Sequence, residues 1–226
     1  MAVETKSPKG AATRDLILDA ASRLIHLRGY HCTSLDDVLR ESNVGKGNFY
    51  YYFKSKEDLG YAIIDRLVRS FLARTLEPAF GDGEGDARAQ IASFLDGVVE
   101  VQRSRQDVGG CPMGNLASEL SVHEGFRQRL ADIFTLWRGR MAGALQRDQA
   151  AGRLRPDFDP GDAAQFVVAA LEGAMLMSKV TRDVSVLERC TEELKRHLTL
   201  YQCQRPSPAA RASRVIGALS ARGAVS

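Results

Sequence analysis

Apolar residues in the first third of the chain fall at helical spacing. Between positions 13 and 27, Leu16, Ile17, Ala20, Ala21, Leu24 and Ile25 recur at three- and four-residue steps. That spacing gathers them on one helical face, which must pack against something. Gly29 ends the helix. Thr33 and Ser34 then precede Asp36 and Asp37, the order in which a hydroxyl caps a new helix and acids sit on its positive end. A short helix is predicted over 35–42, then a sharp turn at Asn43, a residue that tolerates left-handed backbone. A third short helix is predicted over 46–52. The pattern resumes after Lys56 with Leu59, Ile63, Leu67, Phe71 and Leu72 and runs to about Phe80, long enough to connect two domains.

The stretch from Gly81 to Asp86 breaks the pattern. Its alternating acids lack the ligand order and terminal Glu of a calcium loop, so it reads as a solvated loop. Further helices are predicted over 87–105, 112–121, 125–152, 160–180 and 184–202. No strand-like alternation of useful length occurs, so the fold class is all-α. The last helix carries Leu187, Thr191, Leu194, Leu198 and Tyr201 as a stripe, and the one before it carries Phe166, Ala169, Ala170, Gly173, Ala174 and Met177. Such stripes with small residues suit a four-helix interface between two copies of the pair, or else a monomer core.

Composition narrows the class without naming it. With 44% hydrophobic and 26% charged residues over 226 positions, the chain resembles an ordinary globular protein. No apolar stretch approaches the roughly 20 residues of a membrane span, and the polar N-terminus is unlike a signal peptide, so no membrane partner and a cytosolic location are expected. Cys32, Cys111, Cys190 and Cys203 are far apart with no Cys-x-x-Cys pair, which disfavours a zinc knuckle or a disulfide framework. Neither a metal nor a cofactor is expected. Gly45-Lys46 lacks the earlier glycine of a phosphate-binding loop, and His26, His31, His123 and His197 have no ligand spacing, so the chain does not read as an enzyme. The net charge of +3 is small, but the first seventy residues lean basic, the middle leans acidic, and the segment after position 200 is basic. Such a distribution suits contact with nucleic acid at one end.

The segment 35–52 can supply that contact. A helix entering the major groove, about 12 Å wide, should be short, slim at its leading end and polar toward the bases. Gly45-Lys46-Gly47-Asn48, followed by Phe49-Tyr50-Tyr51-Tyr52-Phe53, meets those demands. Phe49 and Phe53, four apart, face inward, whereas three consecutive tyrosines point in three directions and cannot all be buried.

Thr33-Ser34, Val38 and the run from Val44 to Leu59, with Ile17, Ala20-Ala21 and Gly29-Tyr30, resemble the signature of the TetR family of regulators over residues 13 to 59. The resemblance implies a helix-turn-helix DNA-binding domain over 13–58 and a helical ligand-binding and dimerising domain over 59–203. A flexible basic arm over 1–12 and a flexible basic tail over 204–226 flank them. It implies a homodimer on a palindromic double-stranded DNA operator, usually a repressor, released by a small-molecule effector. Lys46, Gly47, Asn48 and Tyr51 match the family's base-reading positions, and Ser34, Tyr50, Tyr52 and Lys56 match its phosphate-contacting ones. Asp36, Asn43 and Tyr52 depart from the commoner residues at their positions. An architectural DNA-binding protein without ligand control is the alternative.

In the second domain Phe94, Phe126, Phe134, Trp137, Met141, Met175 and Met177 are candidates to line an apolar pocket. Gly109-Gly110-Cys111-Pro112 places a thiol at a predicted helix start, where the helix lowers a thiol's pKa. The segment from Gly110 through Met113 to Leu116 is similar to a Gly-Cys segment in a TetR branch responsive to electrophiles and small unsaturated acids. That likeness implies Lys179 near the cysteine. Cys111 is then a redox or electrophile sensor, or else an inert buried residue.

Overall fold

The computed structural model describes residues 8–81, 83, 85–105 and 109–203, with the backbone alone for 8–10. The tail over 204–226 and the first seven residues of the arm lie outside them. The first helix, α1 (Pro8–Arg28), begins five residues before the periodicity predicts. Its buried arc is centred on Ala21 and takes in Ile17, Leu18, Leu24 and Ile25, while Leu16 is 54% exposed. At about 100° per residue Leu18 falls nearer that centre than Leu16 does, which corrects the expected face.

Helix α2 (Leu35–Ser42) follows. Ser34 caps it by accepting from the Asp37 N–H at 3.1 Å, and the Asp37 carboxylate accepts from the Ser34 N–H in return. Asp36 stays exposed. At Asn43 the backbone takes φ 52° and ψ 37°, the left-handed turn its residue type predicts. It leads into α3 (Lys46–Tyr52). Phe49 and Phe53 are buried in one cluster with Ile17, Val38 and Val44. They anchor α3 from below.

Ser55 caps α4 (Lys56–Phe71), which runs through a π-turn (Leu72–Leu76) into α5 (Glu77–Phe80). Pro78 lacks an N–H and its ring would crowd the carbonyl of Arg74, and a widened turn relieves that crowding. The resulting rod joins the two domains. Asp86 caps α6 (Ala87–Arg103), with α7 (Pro112–Leu120), α8 (Glu124–Ala150), α9 (Pro160–Thr181) and α10 (Val184–Leu198) after it. The predicted last helix is shorter than the pattern implies and closes in a 3-10 turn (Thr199–Tyr201). Asp148 of α8 is buried, accepts from the Ala87 N–H at 2.9 Å and is paired with Arg153, tying α8 to the start of α6.

Leu187, Thr191, Leu194 and Leu198 are buried, because α10 turns that stripe onto α6 and α9. The part of the interface expectation resting on those residues is thereby corrected. On α9 the stripe divides: Ala174 is buried, whereas Phe166, Ala169, Gly173, Met177 and Val180 stand on the outside. By length and apolar content α9 would pass for a membrane span, contrary to the composition reading, but 44% of its most apolar stretch is buried inside the molecule.

Candidate nucleic-acid interface and sensor cavity

Helical geometry sorts the residues of α3 into two sides. Taking the midpoint of Phe49 and Phe53 as inward, about 100° per residue puts Tyr51 directly opposite, with Gly47 and Asn48 on either side of it. Tyr51 is 72% exposed, Tyr50 and Asn48 are exposed, and Tyr52 is half-buried with the ring of Tyr51 edge-on to it at 4.8 Å. A Cβ added at Gly45 or Gly47 would meet nothing within 4 Å. The leading end of α3 is therefore slim and its outer face polar.

Two of the residues matched to phosphate contacts are engaged elsewhere. The Ser34 hydroxyl donates to Asp37 Oδ2 at 2.6 Å and its N–H donates to the same oxygen at 3.1 Å. Both Ser34 donors are thus used, and a phosphate would have to break the capping box to gain one. Lys56 lies with Nζ 4.4 Å from the centre of the Tyr30 ring, and partial burial lowers its pKa. A cation held over an aromatic face is not extended toward solvent. Hydrogen bonds from Ser34, with Arg40 alongside, hold the Asp37 carboxyl below its ordinary range.

The DNA-facing domain is clamped to the second one. Glu119, near the end of α7, accepts from the His31 N–H at 3.0 Å. Its carboxylate covers Gly29, where φ is +87° and an added Cβ would lie 2.7 Å from Oε1. Phe126 at the start of α8 stacks on Tyr61 at 4.4 Å and meets Tyr30 edge-on at 5.6 Å. Gly60 makes room for this, since a Cβ there would come within 2.9 Å of the Phe126 ring. Phe126 is thus a joint residue and not a pocket wall.

At the other end of α7 is a cavity of about 70 Å³, with Cys111, Met113, Trp137 and Met175 among its walls. Phe71 stacks on Trp137 at 4.2 Å. Cys111 is the N-cap of α7, and its Sγ accepts from the Gly114 N–H at 3.3 Å. The expected lowering of its pKa is overturned. Burial first, and the charge of Glu172 second, push the thiol well above its usual value, outweighing the helix terminus. Burial likewise raises the Glu172 carboxyl to about 7.

Lys179 lies beside the cysteine segment without bonding the sulfur: its stem packs on Gly110, the residue before Cys111, and its Nζ donates to Asn115 Oδ1 at 2.9 Å. Met177 is 56% exposed on the outer side of α9 and cannot line the cavity. Phe134 meets Trp137 edge-on at 5.4 Å and lies on a separate groove that it shares with Glu172. Phe94 and Met141 are core. Sequence reasoning missed Gln102, Arg105 and Glu172. An acid in the middle of α9, ten residues past Asp162 of its first turn and amid small and apolar residues, was the available signal for Glu172.

Comparisons with known proteins agree with this geometry. The family model described as bacterial regulatory proteins, tetR family, matches residues 17–63, and that described as tetracyclin repressor-like, C-terminal domain, matches residues 67–194. An uncharacterised HTH-type transcriptional regulator of Lactococcus lactis is 35% identical over 184 residues, 81% of this chain and 91% of its own length. The crystal structure of a TetR regulatory protein from Rhodobacter sphaeroides superposes with a TM-score of 0.73 at 30% identity, covering 82% of this chain and 98% of that one. The reduced form of the Escherichia coli repressor NemR gives a TM-score of 0.71 at 28% identity, over 82% and 96% of the two chains. The chain belongs to the TetR family of helix-turn-helix transcriptional regulators.

Proposed function

We propose that the protein is a cytosolic repressor that binds a palindromic operator as a homodimer and lets go when a small or electrophilic effector reaches the cavity beside Cys111. The observation that carries this reading is the path from one end of α7 to the other. Its cap, Cys111, forms the cavity wall, and its far end, Glu119, holds the loop that positions α2 and α3. A change at the cavity therefore has a direct mechanical route to the DNA-facing helix.

The size of the cavity bears on the effector. An engineered protein cavity of about 150 Å³ takes up benzene, so a space of about 70 Å³ suits a compound of a few heavy atoms. Lys46, Gly47, Asn48 and Tyr51 are assigned to the bases, and Tyr50 and Tyr52 to the phosphates. Ser34 and Lys56 are assigned to holding the domain in shape. The outer residues of α9, Phe166, Met177 and Val180, are assigned to the dimer contact, beside the small Ala169 and Gly173.

Footprinting of the gene's own upstream region tests the proposal. Two protected half-sites about one helical turn, roughly 34 Å, apart are expected, with protection lost on adding an effector found by thermal-shift screening. Protection that no stabilising compound alters would contradict ligand control and favour the architectural reading.

A further inference from the structure

Cys111 alone would be an inert, buried thiol. Its surroundings say otherwise. A Cβ added at Gly114 would lie 2.4 Å from Glu172 Oε2 and 3.4 Å from Cys111 Cβ. The α9 carboxylate therefore occupies the place of a missing side chain, next to the sulfur. The cavity that Cys111 borders also holds unsatisfied polar atoms: Gln102 Oε1 and Trp137 Nε1 are buried without a hydrogen-bond partner, on residues only 5% and 1% exposed. Such atoms cost free energy until a ligand supplies the missing bond. Arg105 adds positive charge to the same wall.

We propose that Glu172 is the proton acceptor that arms Cys111 for addition to a small α,β-unsaturated carbonyl compound in the cavity. This rests on the effector reading above and names the group that makes a buried thiol reactive. In the step, Cys111 Sγ bonds to the β-carbon as its S–H bond breaks, and the proton passes to a Glu172 oxygen. The electrons of the C=C bond move toward the carbonyl oxygen, where the Arg105 charge favours them. The proton then returns to the α-carbon, leaving a thioether and a restored carboxylate. Nothing is oxidised or reduced, and no co-reactant is needed.

With its carboxyl raised to about 7, Glu172 is divided between acid and base forms near neutrality, as a working base should be. Of the charged and titratable groups nearby, Cys111 of the α7 cap lies against Glu172 and Arg138 of α8 borders the same groove, while Arg74 in the π-turn and Arg105 just past α6 border the Cys111 cavity and Lys179 of α9 packs on Gly110. His26 of α1 stands against Gly109 close by.

The test is the rate at which methyl vinyl ketone labels each cysteine of the full-length protein, read by peptide mass spectrometry between pH 5.5 and 8.5. Exposed Cys32, in the other domain, is the internal standard. Wild-type Cys111 should react with a rate that climbs through about pH 7. In Glu172→Gln the rate should fall about a hundredfold, the low end of a general-base contribution, and that inflection should vanish while Cys32 is unchanged. Gly114→Ala, whose methyl displaces the carboxylate, should slow Cys111 in the same way. Equal Cys111 rates and pH profiles in wild type and Glu172→Gln would overturn the assignment of Glu172 alone. A wild-type Cys111 that stays unlabelled while Cys32 reacts would overturn the electrophile reading with it.

Discussion

At the scale of single residues, the outer face of α3 and the capping box of α2 do different work, and substitutions should separate them. Asn48→Ala removes a side chain able to hydrogen-bond a base edge, so it should cost about 1–3 kcal/mol at one operator position and relax the preference there. Fluorescence anisotropy on single-base operator variants reads this. Lys56→Ala should weaken all operators alike, and chiefly through the fit of Tyr30, because its ammonium lies over that ring. A salt slope unchanged from wild type would mark the effect as structural, whereas a slope shallower by about one would restore a phosphate contact. Ser34→Ala should lower stability by about 1 kcal/mol through the lost cap. Asp37 is held below its ordinary range in the fold, so its contribution is present above the unfolded carboxylate value and disappears as pH falls through the folded one. Ser34→Ala should therefore flatten acid unfolding monitored by circular dichroism in that window. The α3 residues were legible because glycines, polar residues and paired phenylalanines sort themselves by helical angle within seven positions. The posture of Lys56 was not, since Tyr30 and Lys56 meet only through tertiary packing.

At the scale of elements, α7 is the strut between cavity and DNA-binding domain. Glu119→Ala should leave effector uptake intact but cut its effect on DNA. The ratio of operator affinities without and with effector, about 5- to 150-fold for couplings of ordinary size, should shrink toward one in anisotropy titrations. An undiminished ratio would show that the signal travels by another route. Asp148→Ala removes the acceptor of the Ala87 N–H and should cost about 2 kcal/mol, seen as a lower thermal midpoint. Helix positions were largely readable from apolar spacing and from the cap at Ser34, and the helix start at Cys111 followed from Gly110 and Pro112. What lay opposite each stripe was not readable. Leu187 to Leu198 announce a packed face equally well whether the neighbour is α6 or a second chain, and the raised thiol of Cys111 depends first on its burial and then on Glu172, sixty-one positions later.

At the scale of the whole molecule, the proposed homodimer has to hold two DNA-binding domains at a fixed separation to read a palindrome, and the exposed apolar residues of α9 are the surface assigned to that task. Met177→Glu should shift sedimentation from dimer to monomer and weaken operator binding with it, because a charge buried against a partner lacks compensation. The most direct measurement of the central claim, that the glycine-flanked outer face of α3 reads duplex DNA, is competition binding between a fragment of the gene's own upstream region and random duplex at moderate ionic strength. A preference of about a thousandfold or more for the native fragment is expected, reduced in Asn48→Ala by about 1–3 kcal/mol, the worth of the lost base contact, while non-specific binding remains. Equal affinity of the wild-type protein for both duplexes, with and without methyl vinyl ketone, would contradict it.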